Sequence, residues 1–205
     1  MQTFRTTLMV GAVTSLFFAA SPVVNAAARV GAAAPVFTAK DIAGKAHKLA
    51  DFKGKYVVLE WFNHGCPFVQ KQYESNTMQA LQKKWTAKGV VWLSINSGGK
   101  GKEGFEDEAV TAKTAKAKGA QSTAIFVDGA GTIGKLYGAS STPHMFVIDP
   151  AGKVVYAGAI DSIPSSDKSD LAKAENYVDS ALAAATAGKP IKVAESAPYG
   201  CGVHY

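Results

Sequence analysis

The chain reads as a single α/β sandwich domain, on three features of its sequence. Short apolar runs at residues 57–59, 90–95 and 124–127 have the length and composition of strands buried on both faces. Between them lie longer stretches whose apolar residues recur at helical spacing. The series closes with a strand, a Pro150-Ala151-Gly152-Lys153 turn, a second strand and a last helix. Strands that alternate with helices and finish in a hairpin imply a sheet covered by helices.

In chain order, residues 1–26 come first and stand outside the domain. Met1 to Arg5 carries one positive charge, residues 7–20 are apolar and uncharged, Ser21-Pro22 breaks the run, and Val24-Asn25-Ala26 offers a cleavage point. This is the pattern of a secretory signal peptide cut after Ala26, which predicts a periplasmic or secreted protein. The apolar run falls short of the ~18–20 residues of a membrane span, which weighs against an uncleaved anchor. The domain is expected over residues 27–187, with an arm over 188–205.

Residues 35–41 and 46–49 predict a hairpin about Gly44-Lys45, ahead of the central strand. After Cys66, the spacing of Phe68, Val69, Tyr73, Met78, Leu81 and Trp85 predicts one helix over 68–88, stopped by Gly89. Residues 90–96 are a second buried strand. The Gly- and Lys-rich segment 97–104 lacks the order of a phosphate loop and reads as a mobile surface loop. A weakly amphipathic helix over 106–118, a strand over 124–128 and a short helix over 131–137 follow. Residues 140–143 form a polar turn with Pro143, leading into strands to 149 and over 154–158. Leu171, Ala174, Val178, Ala181 and Leu182 place a final helix over 170–187, ended by Gly188-Lys189-Pro190. Residues 191–205 show no periodicity and read as a flexible arm carrying Cys201.

With 205 residues, 47% of them hydrophobic, the chain holds enough apolar material for one compact core. The formal charge of +6 becomes +5 once Arg5 leaves with the leader. The lysines are scattered and no basic patch is interleaved with aromatics, so nucleic acid is not an expected partner. Two cysteines, Cys66 and Cys201, in a chain read as exported allow one disulfide.

The chemistry gathers around residues 56–69. Val57-Val58-Leu59 is strand, Asn63-His64-Gly65 breaks it, and Pro67 follows Cys66 where proline favours a first helical turn. Cys66 therefore sits at the mouth of a helix, where unpaired N–H groups and the helix dipole favour thiolate over thiol. Glu60 lies inside the same apolar strand, where a carboxylate is costly without a partner or a task. Strand alternation puts Glu60, Phe62 and His64 on one face.

The strand–Cys66–Pro67–helix unit, the Thr142-Pro143 strand start and the closing hairpin with helix resemble the thioredoxin fold. Pro35-Val36-Phe37-Thr38 and Phe52-Lys53-Gly54-Lys55 are similar to the branch holding redoxins of the AhpC/TSA type, peroxiredoxins and TlpA-like thiol–disulfide oxidoreductases. The resemblance spans roughly residues 30–187. It implies a thioredoxin-like three-layer α/β/α sandwich with an N-terminal β-hairpin extension. It also implies Cys66 as nucleophile and Glu60 as proton acceptor; His64, two residues before the cysteine, is read from its position as tuning the thiol's proton. Pro143 would be the cis-proline facing the sulfur, and Thr142 would offer backbone groups to a substrate strand. Asn63 and Pro67 would line the substrate side. No metal or organic cofactor is implied. The partners are a protein or small-molecule disulfide or peroxide and an external thiol donor of thioredoxin type. The oligomeric state is not fixed by the sequence.

The chain departs from the resemblance in two places. Val69 stands where a Cys-x-x-Cys site has its second cysteine, so Cys66 has no local resolving partner. Peroxiredoxins carry Thr or Ser three residues before their cysteine and an arginine that holds the peroxide. Here Asn63 holds the first place, and no arginine follows Arg29. Lysine does not copy a bidentate guanidinium fork, which counts against peroxide reduction by that geometry. Cys201 is the remaining resolving candidate, flanked by Gly200 and Gly202. A bridge to Cys66 would serve either in turnover or as a permanent staple. A thiol-dependent peroxidase is the first alternative. A metal-handling or binding-only module, with His64, Cys66, His144, Cys201 and His204 as N/S ligands, is the second.

Overall fold

A computed structural model describes residues 27–205, so the expected signal peptide lies outside the described residues. The hairpin of β1 (Thr38–Lys40) and β2 (Ala46–Lys48) stands apart from the main sheet. At its turn, Asp41 Oδ1 accepts from the Ala43 and Lys45 N–H groups, and Oδ2 meets His47 Nε2 at 2.8 Å. His47 is buried and lies against Phe52 and Phe126.

Five strands form the central sheet: β3 (Val57–Trp61), β4 (Val91–Asn96), β5 (Ala124–Val127), β7 (His144–Ile148) and β8 (Val154–Gly158). The two-residue β6 (Ser141–Thr142) precedes β7 and stands outside that sheet. The sheet order is β5-β4-β3-β7-β8, with β3 parallel to β4 and antiparallel to β7. Every residue of β3, β4 and β7 is buried, which is why their sequences are mostly apolar, with Glu60, Ser94, Asn96 and His144 the exceptions.

The helices are α1 (Pro67–Glu74), α2 (Thr77–Thr86), α3 (Glu108–Ala117), α4 (Thr132–Tyr137) and α5 (Tyr177–Thr186). On one sheet face Val57, Leu59 and Trp61 pack with Phe37 of the hairpin segment and with Ile133 and Tyr137 of α4. On the other, Val58 and Phe62 pack with Val69, Met78, Trp85 and Leu182, from α1, α2 and α5. The result is the expected three-layer α/β/α sandwich with its hairpin extension. No helix among the described residues is long and apolar enough to cross a membrane.

Three expectations change. The single helix over 68–88 is two, because Asn76 takes a left-handed backbone (φ 56°) that a short polar side chain tolerates. The last helix starts at Tyr177, where the Asn176 side chain accepts the Asp179 N–H as an N-cap; Lys168–Ala172 form a separate 3-10 turn. The arm expected to be flexible is laid down on the domain. It pairs with β8 through Glu195 opposite Ala157 and ends in β9 (Cys201–Gly202), antiparallel to β6. Residues 97–99 of the expected surface loop are buried, and the Gly99 N–H donates to the His204 carbonyl of that arm.

Candidate redox site

The site forms where β3 ends. Phe62 still bonds to the sheet, its N–H donating to Ile95. Asn63 then folds the chain back: its Oδ1 accepts the Gly65 N–H at 2.8 Å and its carbonyl accepts the Cys66 N–H. Cys66 is the N-cap residue of α1, with extended backbone, and Pro67 occupies the first turn. Gln70 N–H reaches back to the Cys66 carbonyl, closing that turn. No side chain caps it, so the helix N-terminus acts on the sulfur through its own free N–H groups.

Facing Cys66 is the Thr142–Pro143 bond, which is cis. The sulfur lies 3.2 Å from the Thr142 carbonyl oxygen, which would accept from a reduced thiol. Cys66 is joined to Cys201 in a disulfide across 135 residues of sequence, with Cα atoms 5.9 Å apart. Cys66 is only 1% exposed, whereas Cys201 is partly exposed. Gly200 makes the approach feasible, because a Cβ there would overlap the Thr142 carbonyl, and its φ of 127° is open to glycine.

Glu60 lies beneath the site, on the same sheet face as Cys66, with no exposure. Its oxygens accept from Tyr73 Oη, Gln82 Nε2, Trp92 Nε1 and Ser94 Oγ at 2.7–2.9 Å. Those donors replace the water that the carboxylate gave up. Burial first, and then the Glu60 charge, hold the Tyr73 hydroxyl well above its ordinary pKa, so it stays a donor. The hydrogen bonds of Glu60 are all to these four side chains and none is to the sulfur. His64 lies tilted against Phe62, its ring edge-on to Tyr73, and its Nδ1 meets Glu106 Oε2 at 2.8 Å.

Residues 30–157 match the model of the AhpC/TSA family. The chain belongs to that family. It is 30% identical over 126 residues to the thiol-disulfide oxidoreductase ResA of Bacillus thuringiensis subsp. konkukian, a match spanning 62% of this chain and 67% of the relative. An uncharacterized conserved protein of Geobacillus kaustophilus superposes with a TM-score of 0.73 at 24% identity, covering 86% of this chain and 92% of that one. The thioredoxin domain of a thiol-disulfide oxidoreductase from Bacteroides vulgatus gives a TM-score of 0.52 at 22% identity, covering 71% and 96%. The second likeness shows the thioredoxin fold. The protein is a redoxin and a thiol-dependent oxidoreductase.

In this redoxin, Cys66, Cys201, Thr142 and Pro143 converge. Pro67 is exposed beside them, and Asn63 shapes the turn, its amide so close to Gly104 that a Cβ there would overlap it. His144 points away from the sulfur. It shares the opposite sheet face with Phe146, stacked at 4.6 Å, and burial lowers its pKa to about 4. Among the described residues no three His, Cys, Asp or Glu side chains form a metal cluster.

Several residues around the site were not singled out from the sequence. Glu106 holds His64. The Asp161 carboxylate accepts from Gln72 Nε2 at 2.7 Å and Tyr199 Oη at 2.5 Å, with the buried Lys71 ammonium 3.5 Å away. Tyr205 inserts its ring beside Gly131 and Gly134, and its hydroxyl donates to the Ala139 carbonyl. Burial, then the charge of Asp128, push that hydroxyl up to about 12. Two aromatics flanking a cysteine in a tail of small residues were the available signal.

Proposed function

We propose that this redoxin is an exported thiol–disulfide oxidoreductase with Cys66 as nucleophile and Cys201 as resolving thiol. One observation carries the reading: the two sulfurs are joined at a helix N-terminus, opposite a cis X–Pro bond, although 135 residues separate them. In the reduced protein the Cys66 thiolate attacks a substrate disulfide. One substrate thiolate leaves, and a mixed disulfide forms on Cys66. The Cys201 thiolate then attacks the Cys66 sulfur and releases the second substrate thiolate, leaving the Cys66–Cys201 bridge. An external dithiol donor reduces that bridge and becomes a disulfide itself, so two electrons pass from donor to substrate.

The other residues act around that exchange. His64, held through Nδ1 by Glu106 Oε2 at 2.8 Å, is the neighbour of the thiol that tunes its proton. Glu60 is a positioning residue, acting through Tyr73, which packs on His64. Thr142 and Pro143 form the docking edge, with Asn63 and Pro67 on the substrate side. Export is supported by the leader-like residues 1–26 and by the disulfide itself. A peroxide is the less favoured substrate, since Arg29 is the last arginine of the chain and belongs to the lead-in far ahead of Cys66 in sequence.

The test uses purified protein with dithiothreitol and a disulfide reporter, and separately with hydrogen peroxide. Cys66→Ser abolishes reporter turnover, and Cys201→Ser accumulates a mixed disulfide on Cys66. Turnover that survives the first change overturns the nucleophile; full turnover without accumulation in the second removes the resolving role. Faster consumption of peroxide than of the disulfide would make the protein a peroxidase.

A further inference from the structure

The arm that carries Cys201 is seated by many contacts that do not involve sulfur. It first runs beside β8, where the Ala157 N–H donates to Ala194 and the Ser196 N–H donates to Ala157. Ser196 Oγ accepts the Ala159 N–H at 3.0 Å and meets Tyr156 Oη at 2.9 Å. Tyr199 then drops onto Phe68, and its hydroxyl donates to the Asp161 carboxylate beside buried Lys71. Beyond Cys201, the Val203 N–H donates to Ser140, and His204 accepts from the Gly99 N–H. Tyr205 ends the series in a groove that glycines make possible: a Cβ on Gly131 or Gly134 would overlap its ring. The Lys135 ammonium lies 5.4 Å from the ring centroid.

The place these contacts occupy matters more than their number. β9 lies antiparallel on β6, with Cys201 opposite Thr142 and Gly202 opposite Ser141. That edge adjoins Cys66, and it is where an extended polypeptide would have to pair to bring its own cysteine to the Cys66 sulfur. With the arm down, the edge is taken and Cys66 is 1% exposed. Reduction cuts one covalent link, and neither the two tyrosine sockets nor the backbone pairings involve a sulfur.

We infer that residues 199–205 are an intramolecular competitor for a polypeptide-docking groove. The partner that fits is an extended segment with a cysteine opposite Thr142 and aromatic residues at the spacing of Tyr199 and Tyr205. The arm stays seated after reduction, and such a partner reacts with Cys66 only in the fraction of molecules whose arm has lifted. This inference rests on Cys66 being the nucleophile. A binding-competent fraction f weakens apparent affinity by 1/f, so loosening the arm speeds the polypeptide reaction by the gain in that fraction.

The experiment compares reduced wild-type protein with reduced Tyr205→Ala and with Gly134→Ala, which keeps the tyrosine but fills its groove. Two probes are used: the heptapeptide Tyr-Gly-Cys-Gly-Val-His-Tyr as its mixed disulfide with thionitrobenzoate, and the symmetric thionitrobenzoate disulfide. Attack by the Cys66 thiolate on the peptide sulfur forms the Cys66–peptide disulfide and releases thionitrobenzoate, which is read by its colour. Losing the tyrosine's burial and hydrogen bond raises the ratio of peptide rate to small-disulfide rate about tenfold or more in both variants. In the same reduced wild-type sample, the amides of the segment paired to β6 and Ser140, residues 201–203, exchange slowly with deuterium. An unchanged ratio with both probes reacting, or free-chain exchange of those amides, overturns the competitor and leaves the nucleophile standing. Failure of wild-type protein to react with either probe, with those amides protected, overturns the nucleophile and the inference with it.

Discussion

Acid should loosen the protein at one buried imidazole, and the size of the effect follows from its surroundings. His144 is 7% exposed, stacked on Phe146, with the Ser140 N–H at 3.3 Å from Nδ1. Burial lowers its pKa from 6.5 to about 4, so the folded protein holds it neutral where an unfolded chain would protonate it. Between those two values the unfolded state binds more protons, so stability rises with pH there and falls as pH falls from 6.5 towards 4. Relative to pH 7, the shift removes about 2 kcal/mol by pH 5 and about 3 kcal/mol by pH 4. The assay is urea unfolding of wild type and His144→Phe at pH 7, 5 and 4. The phenyl ring keeps the stack and cannot titrate, while carboxylate contributions are common to both proteins. The stability difference should move in favour of the variant by those amounts on going to low pH. Parallel curves, within ~0.5 kcal/mol over the range, would refute the reasoning, because they would mean that His144 is protonated in place without cost.

Two further outcomes follow from the site. Glu60→Leu leaves the Tyr73, Gln82, Trp92 and Ser94 donors without their shared acceptor and should lower stability by roughly 3 kcal/mol or more, while Glu60→Gln, which keeps one oxygen, should cost about 1–2 kcal/mol; denaturant unfolding followed by tryptophan fluorescence measures both, and a neutral Glu60→Leu would show that the donors find other partners. The external thiol should enter the bridge at Cys201, which is the more exposed sulfur and whose attack expels the Cys66 thiolate towards a helix N-terminus; a donor with a single cysteine, trapped on oxidised protein and mapped by peptide mass spectrometry, should be found on Cys201 with Cys66 alkylatable, and the reverse assignment would sink the idea.

The layers of this fold were legible because burial writes itself into composition. β3, β4 and β7 are covered on both faces, so their sequences carry few polar residues, and those few are informative: Glu60 and Ser94 meet in one network. What failed was reading the punctuation between helical stretches. Residues 68–88 keep helical spacing through Ser75-Asn76, because the two helices present their apolar sides to the same core. Periodicity records which side faces the core and does not record a single left-handed residue that turns the axis. Asn76 was the only local sign, and asparagine is common enough on helix surfaces that it does not decide the matter alone.

The site divides along the same line. Cys66, Pro67, Thr142 and Pro143 could be found because each sits at an element boundary that its own residue type announces. The arm could not, because its order comes from partners far away in sequence. Its glycines and single proline read locally as freedom, yet Gly200 is there to let the chain touch Thr142, and Gly131 and Gly134 are there to admit Tyr205. A glycine marks either a place where the backbone is loose or a place where something approaches closely, and only the approaching group tells the two apart. For residues 196–205 that group was in each case a residue at least 38 positions away: Tyr156 and Asp161 nearest in sequence, then Thr142, Ser140, Ala139 and Gly99. An arm so placed is more than a tether for a resolving cysteine. A tether would need only length, whereas this one is matched to the docking edge by register, by two aromatic sockets and by a buried carboxylate.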